Sequence, residues 1–329
     1  MNTPAFPDPN RLSIPNPRAL LRHAWAFSRP LTLVGVAMLL TLLAALAGVL
    51  VDPRVITGAP AWLKPAKFAI SISVYCFTLL WLLTFVRGRP RLVALIAWVT
   101  AVALLIEMVL IAYAAALGTT SHFNVSTPVS AAVWMTMGLS VVLVWAANLL
   151  TIVLLLIQRL PYQAFAWALR LGLIVSFVGM GLAFLMTSPT PEQIQAAGVD
   201  GDMPIAGAHS VGVEDGGPGL PITNWSTTGG DLRVAHFFGL HALQALPLFG
   251  FLVAIFRPGW LRSGHRVALV WVVGLSYLGF VLLLAWQALR GQPGVSPDAS
   301  TLGALLALFT TAGVVASAIV LYARRTRER

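Results

Sequence analysis

The sequence predicts an all-α, polytopic integral membrane protein with about eight transmembrane helices. Of its 329 residues, 58% are hydrophobic and only 10% are charged, whereas ordinary soluble domains contain about 45–50% apolar and about 25% charged residues. A water-soluble fold cannot hide that much apolar surface, so the lipid bilayer is the expected partner. Eight stretches also reach the roughly 20 apolar residues that a membrane-spanning helix needs.

The spans follow an N-terminal arm of residues 1–30, whose prolines and four arginines make it too long and too interrupted for an ordinary secretory signal. The predicted spans cover approximately residues 31–51, 67–86, 92–117, 128–157, 167–187, 234–256, 267–288 and 301–323. Together, residues 31–323 form a single transmembrane domain, followed by a basic tail of residues 324–329. No internal repeat is convincing, although a duplication of four spans stays open.

The distribution of basic residues predicts the orientation, because Lys and Arg accumulate on the cytoplasmic side of membranes. If the N-terminus is cytoplasmic, only five of the 21 basic residues lie outside: Arg54, Lys64, Lys67, Arg233 and Arg290. Both termini are therefore predicted to be cytoplasmic. The expected location is the plasma membrane or cell inner membrane, as a multi-pass protein.

The segment of residues 188–233 is a long extracytoplasmic connection under this orientation. Nine glycines between Gly198 and Gly230 favour turns over helix. Trp225, Ile205 and Ile222 nevertheless predict that part of it packs on the bundle. A connection of this length is usually either functional or disordered, and we expect it to cover a site as a lid.

Glu107 is the clearest candidate for a functional residue within a span. It lies ten residues before the end of the third span, which places it about 15 Å deep. Carboxyl groups at such depth are costly and usually mark function. Glu107 either bridges helices by hydrogen bonds, or transfers protons, ligates a metal or binds substrate.

Four of the six histidines, His122, His209, His236 and His241, lie on the predicted outer side. His122 occurs in SHFNVSTP, where Ser126, Thr127 and Pro128 are typical of a helix start. Capping leaves His122 and Asn124 unexplained, so both are candidate site residues. Alternatively, each of these histidines, taken alone, is a buried core side chain whose imidazole forms one hydrogen bond.

Residues 224–247 carry the densest group of polar side chains. Thr227, Thr228 or Asp231 can cap the sixth span, and Arg233 then begins it. His236 and His241 are five residues apart and do not share a narrow helix face, so they are not an HExxH zinc pair. His241 and Gln244 do share a face, and Gly239 permits close approach of another helix or a flat cofactor.

Lys64 and Lys67 lie close together at the outer start of the second span. Interfacial lysines commonly extend their ammonium groups toward water. Alternatively, the pair binds an anionic group such as a lipid phosphate or a carboxylate.

Several mechanisms are not indicated. Cys76 is the only cysteine, which excludes an intrachain disulfide, a CxxC metal knuckle and a CxxCH haem attachment. The sequence has no Walker A loop, Rossmann fingerprint or GxSxG elbow, and no basic stretch interleaved with exposed aromatics. Neither a nucleotide nor a nucleic acid is therefore an expected partner.

The leading hypothesis is a redox protein with an outward-facing haem or transition-metal site. Its candidate ligands are His122, His209, His236 and His241, with Asp231 orienting an imidazole and Glu107 supplying a proton or a ligand. Candidate substrate-binding residues are Lys64, Lys67, Asn124, Arg233 and Gln244. The alternatives are a proton-coupled transporter using Glu107, and an enzyme acting on a lipid or isoprenoid whose head group binds Lys64, Lys67 and Arg233. A redox or protein partner is not identified.

Overall fold

The computed structural model describes residues 16–198, 201–256 and 258–326. Within these ranges the helices are α1 (Pro17–Phe27), α2 (Arg29–Val51), α3 (Leu63–Leu83), α4 (Pro90–Leu117), α5 (Pro128–Ile157), α6 (Gln163–Leu182), α7 (Pro191–Ala197), α8 (Leu232–Ile255), α9 (Ser263–Leu289) and α10 (Ala299–Arg325). The strands are β1 (Val55–Ile56), β2 (Ala59–Pro60), β3 (Ser210–Val211) and β4 (Gly230–Asp231). Parts of the predicted arm and tail, residues 1–15 and 327–329, lie outside the described residues.

Eight helices in the described part of the chain are long and apolar enough to cross a membrane, which confirms the predicted polytopic bundle. The connections after α2, α4, α6 and α9 emerge at the same end of the bundle, which we call the loop face. The cytoplasmic location of the opposite end stays a prediction. The largest boundary differences are at α3, α6 and α9, which each begin four residues earlier than the apolar patterns predict, and at the end of α6, which lies five residues earlier.

The α3 boundary matters for the site. The apolar pattern placed both lysines at or before the helix start, but the helix begins at Leu63 and includes them. Lys64 and Lys67 therefore lie in the first turns of α3, three residues apart and on one face. Pro65 is tolerated there because the first turn of a helix has unpaired backbone N–H groups in any case.

The long connection before α8 contains more structure than its composition predicts. Short helix α7 precedes the glycine-rich part and begins with a capping box, in which Thr190 and Gln193 each bond the other's backbone N–H. Strands β3 and β4 then pair antiparallel, with Ser210 opposite Asp231. Ile205 packs beside Phe123, whereas Ile222 is exposed. The prediction that this segment partly packs on the bundle is therefore correct for Ile205.

The eight spanning helices form two groups of four with the same order of contacts. In the first group, α2 packs against α3 and α4, α3 packs against α4, and α4 packs against α5. In the second group, α6 packs against α8 and α9, α8 packs against α9, and α9 packs against α10. A two-stranded hairpin precedes the second spanning helix of each group, namely α3 and α8. The helix contacts therefore have a four-plus-four arrangement, whereas the duplication that the sequence left open stays a hypothesis.

The closest helix contact joins α6 and α8. A Cβ atom added to Gly239 would lie only 2.4 Å from the Cα atom of Gly179, so neither position has room for a side chain. The small residue at Gly239 thus admits another helix. Between the two groups, leucines from α3, α5, α6 and α8 share one core cluster, and Gln244 Nε2 donates a hydrogen bond to Thr78 Oγ1 at 3.1 Å.

Candidate functional site

A cavity of about 1220 Å³ opens at the loop face. Its walls come from the loop-face ends of α3, α4, α8 and α9, from the connection between α4 and α5, and from the long connection before α8. Its polar lining includes Lys64, Lys67, His122, His209, Asp215, Arg233 and Arg290, and its apolar lining includes Phe68, Ile111, Leu232 and Leu289. The cavity therefore offers both cationic groups and apolar surface.

Lys64 and Lys67 supply two ammonium groups to this cavity. Lys64 Nζ lies 3.0 Å from His122 Nδ1, and Lys67 Nζ donates to the carbonyl oxygen of Thr223 at 2.9 Å. Within the described residues neither lysine has a carboxylate oxygen within 4.0 Å. Both charges therefore lack an anionic partner in this part of the protein.

His122 connects the cavity to the interior of the bundle. Its Nδ1 atom lies 3.0 Å from both Lys64 Nζ and Ser121 Oγ, and its Nε2 atom lies 3.6 Å from Glu107 Oε1. Burial, together with the positive charge of Lys64, lowers the pKa of His122 well below its usual range. The imidazole is therefore neutral at pH 7, with Nδ1 accepting from Lys64 and Nε2–H directed to Glu107.

The connection that carries His122 is tightly folded. Phe123 has a φ of +65°, a left-handed conformation that costs free energy in a bulky residue. The next residue, Asn124, pairs with Ile205 in an isolated bridge. Trp134 packs against the His122 ring, with ring centroids 5.5 Å apart. The chain turn and these packed neighbours fix the position of the imidazole.

Glu107 lies directly below His122 and is only 3% exposed, so it faces the interior of the bundle. Neither of its carboxyl oxygens has a hydrogen-bond partner among the described residues. The interpretation of Glu107 as a hydrogen-bonded bridge between helices therefore has no support from its contacts. The His122 imidazole lies within 4.0 Å of the Glu107 carboxyl group, but the distance of 3.6 Å from Nε2 to Oε1 is longer than a hydrogen bond.

His209 and Asp215 form a second acid–base pair in the cavity wall. His209 Nδ1 donates to Asp215 Oδ2 at 2.7 Å, and the backbone N–H groups of His209 and Ser210 also donate to this carboxylate. Burial lowers the pKa of His209. Burial alone would raise the pKa of Asp215, but the bonds from His209 and Ser210 bring it well below its usual range. The pair is thus a neutral imidazole oriented by a carboxylate, which leaves Nε2 as a base.

Asp231 neutralises Arg233 and begins α8. Its carboxylate accepts from Arg233 Nε at 2.9 Å and from Nη2 at 2.5 Å, and it caps the helix by accepting from the Arg233 backbone N–H. It also accepts from the Ser226 backbone N–H at 2.8 Å. Arg233 Nη2 additionally donates to the Asn224 carbonyl oxygen, so Arg233 holds the long connection over the cavity.

The structure separates the other predicted site residues from this cavity. His236 Nδ1 donates to the Gly179 carbonyl oxygen at 2.8 Å, and His241 Nδ1 donates to Gln244 Oε1 at 3.2 Å. Asn124 bonds Thr119 and Ser126 within its own connection. Across residues 16–198, 201–256 and 258–326, no three His, Cys, Asp or Glu side chains are grouped so that they could hold a metal ion.

Ser121, Asp215 and Arg290 line the cavity but were not among the candidates from the sequence. Asp215 lies six residues after His209 in a glycine-rich segment, and no helical or strand period relates the two. Asp215 could have been selected because it is an acidic residue close in sequence to His209, in a connection longer than a simple link between helices requires.

Fold and site together define an eight-span helical membrane protein with a cavity at one end. The cavity lining carries both signs of charge, because Lys64, Lys67, Arg233 and Arg290 lie in it together with Glu192, Glu214 and Asp215. Comparison with models of protein families, with curated proteins and with solved structures finds no match to this chain.

Proposed function

We propose that this protein is a membrane enzyme that binds an anionic, lipid-like substrate in the loop-face cavity. The observation that carries the proposal is the pair of ammonium groups of Lys64 and Lys67, which face the cavity without a carboxylate within 4.0 Å among the described residues. Unpaired cations in a partly desolvated cavity favour an anionic ligand, because phosphate or carboxylate oxygens form strong charge-assisted hydrogen bonds with them.

The size and lining of the cavity favour an amphiphile over a simple ion. Ligand pockets for organic molecules usually have about 300–1000 Å³, and this cavity of about 1220 Å³ is larger. Phe68, Ile111 and Leu289 line it alongside the lysines. An anionic head group bonded to the lysines would therefore leave room for an apolar part.

The chemistry proposed for this site is general base catalysis by His209. Asp215 accepts a hydrogen bond from Nδ1–H, so Nε2 is unprotonated and can take a proton from an attacking water molecule. The water oxygen would bond to the ester carbon or phosphorus of the substrate, and the leaving alcohol would depart with the proton that Nε2 returns. The lowered pKa of His209 keeps the imidazole neutral, as a base requires. Lys64 and Lys67 would hold the anionic group and stabilise negative charge that develops on it.

Binding is tested by calorimetric titration of the purified protein with short-chain phosphatidic acid, using short-chain phosphatidylcholine as the zwitterionic comparison. Lys64→Gln and Lys67→Gln should each weaken binding by about tenfold to hundredfold, as expected for loss of one hydrogen bond to a charged group. Arg54→Gln is the matched control, since Arg54 is a loop-face cation outside the cavity lining and paired with Asp52. Equal weakening by the control variant would contradict a specific site.

Catalysis is tested separately, by mass spectrometry of the lipid after incubation with the protein. His209→Gln should retain binding and lose turnover, and Asp215→Asn should lower turnover and change its pH profile. Binding without turnover in the unmodified protein would remove the enzymatic part of the proposal and keep the anion site.

A second candidate function is proton-coupled transport, and the contact that favours it is the chain Lys64–His122–Glu107. Lys64 Nζ lies 3.0 Å from His122 Nδ1, and His122 Nε2 lies 3.6 Å from Glu107 Oε1. These contacts lead from the cavity to a buried carboxyl group. Transporters commonly place such groups within their spans for proton coupling. In proteoliposomes, uptake driven by a pH gradient should disappear in Glu107→Gln and persist in His209→Gln.

The haem- or metal-dependent redox interpretation receives no comparable support. His122 Nδ1 lies against an ammonium group, and His236 and His241 bond protein groups elsewhere in the bundle. It remains a hypothesis that metal analysis and an absorption spectrum of the solubilised protein would test.

A further inference from the structure

Helix α1 differs from every spanning helix in the arrangement of its side chains. At roughly 100° per residue, its large apolar residues occupy an arc of about 160°, while its two arginines and its histidine lie on the remaining surface. The apolar residues are Leu20, Leu21, Trp25 and Phe27, and all four are exposed. The polar side carries Arg18, Arg22 and His23.

The position of α1 makes the adjoining bilayer the surface that this apolar side meets. A single residue, Ser28, separates α1 from the spanning helix α2, and its extended backbone turns the chain between them. Ala24 packs against the core cluster that α2 and α3 share, and α1 contacts both helices. The helix is therefore held at the end of the bundle, where the hydrocarbon region gives way to head groups.

The charge of α1 selects among lipids. Arg18 and Arg22 lie on the polar side with no carboxylate within 4.0 Å among the described residues. Interfacial helices combine such a basic side with Trp, Phe and Leu on the other, and bind anionic membranes more strongly than neutral ones.

We propose that α1 lies in the head-group layer on the side of the membrane opposite the loop face and binds anionic lipids there. Its apolar side is buried among the upper acyl carbons, and the two arginines contact lipid phosphates. The proposal concerns a surface remote from the cavity and does not depend on the proposed function.

The depth of α1 is measured on the full chain in lipid vesicles by spin labelling. Cys76 is buried, so single labels can be introduced at Leu21→Cys on the apolar side and at Ala26→Cys on the polar side. With phosphatidylglycerol in the vesicles, the label at 21 should be accessible to oxygen and the label at 26 to a water-soluble nickel complex. Equal exposure of both labels to nickel would overturn the proposal, and so would dipolar broadening at 21, which would indicate a second copy of the chain.

Lipid selectivity is measured by comparing these vesicles with vesicles of phosphatidylcholine alone. The ratio of membrane-inserted to water-exposed α1 should fall by about fivefold for each arginine removed in Arg18→Gln and Arg22→Gln. Arg91→Gln, in the first turn of α4 at the same end of the bundle, is the matched control and should leave the ratio unchanged. Insertion that is identical in both kinds of vesicle would refute the anionic preference.

Discussion

Replacing Asp231 with asparagine should destabilise the protein strongly, because it removes the charge that Arg233 is paired with. Asp231 is 1% exposed and accepts two side-chain hydrogen bonds from Arg233. Hydrogen bonds to charged groups contribute about 1.5–3 kcal/mol each. The Arg233 side chain is 24% exposed, so the lower figure applies, and the expected loss is about 3 kcal/mol. Asparagine still caps helices, so the loss reports on the ion pair together with the hydrogen bond from the Ser226 backbone N–H to Oδ2.

The protein contains its own control for this substitution. Asp52 and Arg54 have the same spacing and the same mutual hydrogen bonds as Asp231 and Arg233. Each carboxylate also accepts one bond from elsewhere, Asp52 from Trp62 Nε1 and Asp231 from the Ser226 backbone N–H. The Arg54 side chain is more exposed, at 45% against 24% for Arg233. Exposed ion pairs contribute little, so Asp52→Asn should cost much less free energy than Asp231→Asn. Unfolding in mixed micelles titrated with a denaturing detergent gives both values. Equal losses would refute the argument that burial of Asp231 determines the strength of the pair.

Three further results are expected. Gly239→Ala should lower the unfolding free energy by about 1–3 kcal/mol, because the added Cβ would meet the backbone of α6 at 2.4 Å. Gly313→Ala is the control and should not destabilise the protein, because a Cβ added there has no neighbouring heavy atom within 4 Å. The pKa values of His122 and His209 are lowered in the fold, so the unfolded chain binds more protons than the folded protein below about pH 6.5. The melting temperature should therefore decrease as the pH is lowered from about 7.5 to about 5.5. Glutamine at either position should reduce this pH dependence. A reporter fused after Arg91 should be cytoplasmic, and an extracytoplasmic signal would invert the predicted orientation.

The number of spanning helices could be predicted from the sequence because each follows from local composition, whereas the short helices α1 and α7 were not predicted. A run of about 20 apolar residues has few alternatives to a spanning helix, and the cap at Thr127 and Pro128 lies where the residue types predict it. The start of α3 could not be predicted in this way. Lys64 and Lys67 interrupt the apolar pattern, but the helix continues through them because their ammonium groups reach a polar cavity.

The candidate site was predictable residue by residue but not as an assembly. Glu107 could be selected because a carboxyl group is unusual at its depth, and His122 because helix capping left it unexplained on the predicted outer side. The structure brings the two side chains to 3.6 Å. His236 was selected by the same reasoning, yet it bonds the backbone of α6. Which histidines share a site depends on how the helices pack, and periodicity within one helix does not determine this. Asp215 lies in a segment with no periodicity at all.

The four-plus-four arrangement explains why the cations of the cavity come from distant parts of the sequence. Helices α3 and α8 are each the second spanning helix of their group, and each follows a hairpin at the loop face. Lys64 and Lys67 occupy the first turns of α3, and Arg233 occupies the first turn of α8. Equivalent positions in the two groups thus supply basic side chains to one cavity, where Arg233 is paired with Asp231. The side chains of Thr78 and Gln244 join the same two helices deeper in the bundle. A relative movement of the two groups would change the distance between these cations, so an anion that contacts both Lys67 and Arg233 would stabilise one arrangement of the groups over the other.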